Sequence, residues 1–86
     1  MTTKKKKNGS TPDVEGVYQH IGRVIKRQRR DKKLLQQDLA ERLEISRPSI
    51  CLLEKGKQRV MMHDLTKIAR AIGVKVIELV PPDWRG

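Results

Sequence analysis

Apolar residues along this chain recur mostly three or four positions apart, which is the spacing of one face of an α-helix. Leu39 and Leu43 belong to one such set, and Ile50 and Leu53 begin another. The spacing predicts two short helices of about eight residues, joined by a tight turn, within residues 36–55. A pair of helices joined in this way is a helix-turn-helix, whose second helix can enter the major groove of DNA.

Residues with capping chemistry mark both ends of the second of these helices. Ser46 can accept a backbone N–H bond at its start, and Pro48 lies in its first turn, where a missing N–H costs little. Gly56 can adopt the left-handed conformation that commonly ends a helix. The second helix is therefore predicted over about 47–55.

Three further helices are predicted around this pair. One begins near Val14, with Asp13 as its candidate cap. Another carries a stripe at positions i, i+3, i+4 and i+7, formed by Leu65, Ile68, Ala69 and Ile72. The mainly apolar segment 74–80 predicts a fifth helix that ends before Pro81. The fold class is thus all-α, a compact bundle of about five short helices.

Charge narrows the class of partner. Lys and Arg number 20 against 10 Asp and Glu, the formal net charge is +10 and the pI is about 10.3. Such a balance indicates a polyanionic partner, with nucleic acid as the first candidate. Residues 1–13 join Lys4–Lys7 to turn formers and predict a disordered basic tail, which either follows phosphates or serves solubility.

Several classes of protein are disfavoured by what the sequence lacks. One cysteine cannot form an intramolecular disulfide, and no apolar run approaches the roughly 20 residues of a membrane span. We therefore expect a cytoplasmic protein, associated with the nucleoid if it binds DNA. There is no Gly-rich phosphate loop, nucleophile signature or cluster of metal ligands around His20 or His63. The sequence predicts no enzyme activity, metal, cofactor or small-molecule ligand.

The order of residues across the central helices and the following stripe also matches a known pattern. The matching positions are Gln36, Leu39, Ala40, Leu43, Ile45, Ser46, Ile50, Glu54, Gly56 and Lys57, followed by the run Leu65, Ile68, Ala69, Arg70, Ala71, Ile72, Gly73 and Val74. With these residues the chain resembles the phage-repressor and Cro-like (Xre-type) helix-turn-helix domains over about 21–80. The resemblance implies a lambda-repressor-like DNA-binding domain at 14–80, with a C-terminal tail at 81–86.

The same resemblance implies a function. We expect sequence-specific binding of double-stranded DNA by a homodimer that inserts the helix around 47–55 into the major groove. Transcriptional repression is the simplest outcome. The alternative is a protein-interaction adaptor of the bridging-factor type with only non-specific DNA binding. A role in RNA binding is disfavoured because the chain has one Tyr and one Trp for stacking.

Roles for individual residues follow from the resemblance. Gln36 is expected to bond a phosphate and to touch the recognition helix, while Lys57 and Arg59 contact the DNA backbone from the loop after that helix. The remaining expected DNA-binding residues lie on the helix itself: Arg47, Pro48, Ser49, Leu52 and Lys55. Ser49 is expected to contact a phosphate, whereas Arg47, Pro48 and Leu52 are expected to contact base edges.

Four positions on the recognition helix keep two interpretations each. Arg47 either bonds guanine O6 and N7 or sits on a phosphate. Pro48 and Leu52 either meet thymine methyl groups or leave specificity to DNA shape. Cys51 is either a redox switch at the groove or, more simply, a small half-buried filler.

The resemblance also implies a structural ion pair between Arg29 and Glu54, which would brace the first helix against the third. Two residues depart from the family pattern. Leu35 stands where a Ser or Thr cap is usual, and Glu44 replaces a common Gly in the turn. A left-handed Glu44 would cost about 1–2 kcal/mol, so the turn is predicted to be either strained or differently shaped.

A dimer contact is expected at the C-terminal end of the domain, where apolar residues exceed what one small helix can bury. The candidates are Val60, Met61, Met62, Ile77, Val80 and Trp84. The alternative is that Trp84 folds back onto its own monomer.

Overall fold

The computed structural model describes residues 14–82 of the chain, and it describes side chains from residue 16 onward. The regular structure in this range consists of four α-helices and one 3-10 turn. The helices are α1 (Val14–Asp31), α2 (Gln36–Leu43), α3 (Arg47–Glu54) and α4 (Met62–Ile72), and the 3-10 turn spans Val76–Glu78. The all-α class and the central helix pair agree with the sequence prediction. The disordered tail predicted for 1–13 and the Asp13 cap lie outside the described residues.

The fifth α-helix predicted over 74–80 is wrong. Only the 3-10 turn Val76–Glu78 forms there, with N–H bonds from Glu78 to Lys75 and from Leu79 to Val76. Because Gly73 ends α4 and Pro81 follows soon after, the segment is too short for a further helix with its own buried stripe. It instead turns Leu79 and Val80 into the core.

Each of the four α-helices is followed by a residue with positive φ. Two are glycines, Gly56 at 73° and Gly73 at 92°, and two are not, Lys33 at 60° and Glu44 at 58°. For Glu44 this left-handed conformation is one of the two outcomes that the sequence left open, whereas the positive φ of Lys33 was not anticipated. The Lys33 turn still forms the hydrogen bonds of a left-handed helix ending, because the Leu34 N–H bonds the Arg29 carbonyl at 3.0 Å.

The N-terminal end of α3 has the cap that the sequence predicts, whereas that of α2 is satisfied by a different side chain. Ser46 accepts a hydrogen bond from the Ser49 N–H at 3.3 Å, and Pro48 lies in the first turn of α3. Leu35 has no side-chain acceptor to offer α2. The carboxylate of Asp38 instead accepts from the Leu35 N–H at 2.8 Å, which satisfies part of the open helix end.

The core lies where α3 packs against α1 and α2, and where α4 closes α2 from the other side. Its largest fully buried side chains are Ile25, Leu39, Ile50 and Leu79. Gly22 allows the close approach of α1 and α3, because a Cβ atom there would lie 2.4 Å from the Leu53 carbonyl oxygen. Helix α3 is thereby held with its opposite face free.

Candidate nucleic-acid interface

The outer face of α3 is separated from its inner face as the helical period predicts. Ile50 and Leu53 are buried, whereas Arg47, Pro48, Leu52 and Lys55 are exposed. Ser49 and Cys51 lie between the two faces and are half-buried. The exposed set therefore combines two cations with two apolar side chains, which are the groups available for contact with a groove.

Glu54 and Arg29 form a buried ion pair between α3 and α1. Nε of Arg29 lies 2.6 Å from Oε2 of Glu54, and Nη2 donates to Oε1 at 3.2 Å. The third donor, Nη1, bonds the Leu34 carbonyl at 2.7 Å, just before α2. Arg29 therefore supports three elements from inside the domain, in the place where the resemblance expected it.

Gln36 lies at the start of α2 and joins this pair to the outer face of α3. Its Nε2 donates to Oε1 of Glu54 at 3.0 Å. Its own Oε1 accepts from Sγ of Cys51 at 3.3 Å and, weakly, from Nε of Arg47 at 3.5 Å. One N–H of the Gln36 amide remains for a phosphate, while the carbonyl oxygen is occupied by α3.

Cys51 and Ser49 have local partners. The Cys51 thiol donates to Gln36, as expected of a half-buried filler between helices. The Ser49 hydroxyl lies 3.0 Å from that of Ser46, so it belongs to the cap of α3. Contact of Ser49 with a phosphate would share this hydroxyl with the helix cap.

The loop after α3 carries three consecutive exposed polar residues, Lys57, Gln58 and Arg59. The loop begins at Gly56, and the Lys57 N–H donates a hydrogen bond to the Leu52 carbonyl at 2.9 Å. Within residues 16–82 the only ion pair is that of Arg29 and Glu54. The cations of α3 and of this loop therefore have no carboxylate partner in the described part of the chain.

The expected dimer surface is only partly exposed. Met61 and Met62 are 71% and 65% exposed and Ile77 is 48% exposed. Val60 and Val80 are each only 8% exposed, so their expected place on this surface is corrected. Both pack in the core, because the loop after α3 turns inward at Val60 and the segment after the 3-10 turn does so at Val80. Trp84 lies outside the described residues, as does Lys4–Lys7.

Other kinds of site find no support in the part of the chain that the structure covers. No group of three or more His, Cys, Asp or Glu side chains there could hold a metal ion. No helix between residues 14 and 82 is both long enough and apolar enough to span a bilayer.

Four features were not anticipated from the sequence. Gly22 and Asp38 have the structural roles given above, and Arg42 donates to the Ala71 carbonyl at 2.7 Å. Tyr18 and Gln19 of α1 lie beside the loop after α3. Only Gly22 had a readable signal, because a glycine inside a helical pattern often marks a close backbone approach.

Comparison with known proteins agrees with this geometry. A family model described as helix-turn-helix matches residues 25–79. An uncharacterized HTH-type transcriptional regulator from Sinorhizobium fredii is 34% identical over 62 residues, covering 72% of this chain and 80% of that protein. Another, from Methanothermobacter thermautotrophicus, is 38% identical over 55 residues, covering 64% and 80%.

A solved structure supports the same fold. The restriction-modification controller protein C.AhdI from Aeromonas hydrophila superposes with a TM-score of 0.68 at 26% identity. The superposition covers 72% of this chain and 94% of that one.

Proposed function

Since the chain belongs to the Xre-like helix-turn-helix family of DNA-binding transcriptional regulators, we propose that it binds a specific double-stranded DNA site as a homodimer and represses transcription. Helix α3 enters the major groove, while Gln36 and the loop residues Lys57 and Arg59 bind flanking phosphates. Blocking of promoter access is the simplest mechanism for this repression. A cytoplasmic, nucleoid-associated location follows from this role.

The observation that carries the proposal is the way Glu54 connects Arg29, Gln36 and α3. One buried carboxylate fixes the start of α2 against α3, and those are the two elements that must meet the DNA together. A site that reads sequence needs side chains held by a rigid support. The cations Lys55, Lys57 and Arg59 follow Glu54 directly in the chain and have no carboxylate partner among the described residues, which favours binding to phosphates.

Base reading is assigned to the exposed residues of α3. Of the two cations on this face, Arg47 lies in the first turn of α3, and its weak contact with Gln36 at 3.5 Å holds the guanidinium beside the start of α2. We assign it to guanine O6 and N7. Pro48 and Leu52 have no side-chain donor, so we assign them to apolar contact with thymine methyl groups.

The dimer is assigned to the exposed apolar end of the domain, around Met61, Met62 and Ile77, with Trp84 as a further candidate. Large apolar side chains left this exposed are typical of a surface that another chain covers. A two-fold dimer would present two α3 helices to half-sites about 34 Å apart.

Selection from a random duplex pool tests the proposal. The winning site is then titrated against salt, with a scrambled duplex as competitor. A two-fold symmetric site bound at least about a thousand-fold more tightly than the scramble is expected. Selection that yields no motif, with binding that follows salt alone, would contradict the proposal and favour the adaptor alternative.

A further inference from the structure

A cleft of about 370 Å³ lies between α1 and the loop that follows α3. Tyr18 and Gln19 form one wall, and Lys55, Lys57 and Arg59 contribute cations to the other. No carboxylate is among the residues that line it. The cleft therefore offers positive charge without a competing acceptor, which suits an anion.

Gly56 sets the loop directly on α1. Its φ of 73° is left-handed, and a Cβ atom there would lie 2.5 Å from Cα of Gln19. The two walls of the cleft are thus in backbone contact at its base. Because α1 is anchored to α3 by the Arg29 and Glu54 ion pair, the walls cannot separate without breaking that packing.

Three neutral side chains that can donate a hydrogen bond line the cleft, namely Tyr18, Gln19 and Gln58, and none of them has a partner among the described residues. The Tyr18 ring packs on the core while the residue lines the cleft, and Gln19 is exposed beside it. Neither side chain makes a hydrogen bond within the described residues. Three cations with a phenol and two amides are a donor set typical of contacts to a phosphate group.

We propose that this cleft seats a backbone phosphate of the bound DNA, with Tyr18 and Gln19 of α1 as its neutral hydrogen-bond donors. The occupant is a DNA phosphate because the cleft is continuous with the basic loop at Lys57 and Arg59. This inference rests on the proposed function and extends the interface to a helix that had only a structural part in it. It also explains why the loop must touch α1 at Gly56.

The test uses the whole chain and the selected duplex, with the variants Tyr18→Phe and Gln19→Met. Each removes a neutral donor while keeping most of the side-chain volume. Each is expected to weaken binding about two- to ten-fold, the range of one net hydrogen bond. The slope of log affinity against log salt stays unchanged, because no cation and hence no counterion release is lost. A structural effect on the cations would change that slope.

Thr66→Val is the matched control, since it loses a hydroxyl that bonds the His63 carbonyl within α4, away from the cleft. It is expected to leave DNA affinity unchanged. Urea unfolding of all three variants checks that the fold is retained. Wild-type affinity in both Tyr18→Phe and Gln19→Met would overturn the inference.

Single methylphosphonate substitutions along the duplex identify the phosphate. At one flanking position in each half-site, the neutral linkage should weaken wild-type binding and abolish the further effect of Tyr18→Phe. If the Tyr18→Phe effect persists at every position, a DNA phosphate is not the ligand. Amide shifts of residues 56–59 with inorganic phosphate, at unaltered DNA affinity of the variants, would also overturn the inference and indicate a free phosphate ligand.

Failure of the proposed function gives a different result. A wild-type chain that selects no DNA sequence contradicts the proposed function itself. Specific binding by the wild type that is insensitive to Tyr18 and Gln19 contradicts only the seat in this cleft.

Discussion

Gln36 donates a hydrogen bond from Nε2 to Oε1 of Glu54 at 3.0 Å, the same oxygen that accepts from Nη2 of Arg29 at 3.2 Å. One buried carboxylate thus holds both the brace between α1 and α3 and the first residue of α2. A side chain proposed to bind DNA is therefore positioned by the core of the domain. Changes at Glu54 should reach the interface through Gln36.

Glu54→Gln should strongly destabilise the domain. It keeps the shape of the side chain but leaves the Arg29 guanidinium buried without a counter-charge, which costs about 3–5 kcal/mol. The free energy of unfolding in urea measures the loss. Glu41→Gln on the exposed face of α2 is the control and should change stability by less than about 0.5 kcal/mol. Equal effects at the two positions would contradict a structural role for the pair.

Gly22→Ala should destabilise the packing of α1 on α3. The added Cβ would lie 2.4 Å from the Leu53 carbonyl oxygen and 2.7 Å from that of Glu54, so the helices must move apart. Overpacking of this kind costs about 1–3 kcal/mol. Gly73→Ala separates the causes, because nothing lies within 4 Å there and only its φ of 92° opposes alanine.

The two glycine variants are measured by urea unfolding together with DNA affinity. Gly22→Ala is expected to lower both, since α3 moves on its support, whereas Gly73→Ala is expected to lower stability alone. Unaltered stability of Gly22→Ala would contradict the prediction, because it would mean that α1 and α3 accommodate the added methyl group without moving apart.

Glu44→Gly should stabilise the chain. Glu44 has a φ of 58° at the end of α2, where a non-glycine residue costs about 1–2 kcal/mol. Glycine loses part of that gain through its greater freedom when unfolded, so a net gain of about 0.5–1 kcal/mol is expected. Glu41→Gly, inside the same helix, should instead lose about 1 kcal/mol. A loss at both positions would argue against strain at Glu44.

Arg47→Ala and Lys57→Ala should change DNA binding in different ways. Arg47 is exposed on α3, so its loss should relax sequence preference at one base pair by about 1–3 kcal/mol. Lys57 lies in the flanking loop, so its loss should weaken all sites alike and lower the salt slope by about 1. Titrations against the selected and scrambled duplexes measure both effects.

The control for this pair is Arg70→Gln, which removes one exposed positive charge from α4. It should leave both preference and slope close to those of the wild type. Equal loss of preference in Arg47→Ala and Lys57→Ala would refute the division of roles between helix and loop.

Met62→Lys should weaken self-association. Met62 is 65% exposed in the monomer, so a charge there costs the fold little, while burial of that charge in a dimer contact would be unfavourable. Sedimentation equilibrium of the two proteins measures the difference. Gln37→Lys, at an exposed position of α2, is a control for added charge. An unchanged dimer would place the contact elsewhere.

The sequence by itself determined the features that depend on neighbouring residues. Apolar periodicity located α2, α3 and α4, and short-range chemistry marked the two ends of α3 at Ser46 and Gly56, because caps act within one turn. Comparison with the family pattern singled out Glu44, but left open whether the residue would be left-handed or the turn differently shaped. Resemblance to a family, rather than any spacing, supplied the pairing of Arg29 with Glu54.

Only the tertiary structure decided which residues are buried in the core or paired within the domain. Of the cations around residues 23–33, Arg29 alone is buried, because its partner lies 25 positions away on α3. Val60 and Val80 went to the core rather than to a partner surface, and the segment 74–80 formed a 3-10 turn instead of a helix. Periodicity identifies a helix and its apolar face, but which distant helix covers that face depends on how the whole chain packs.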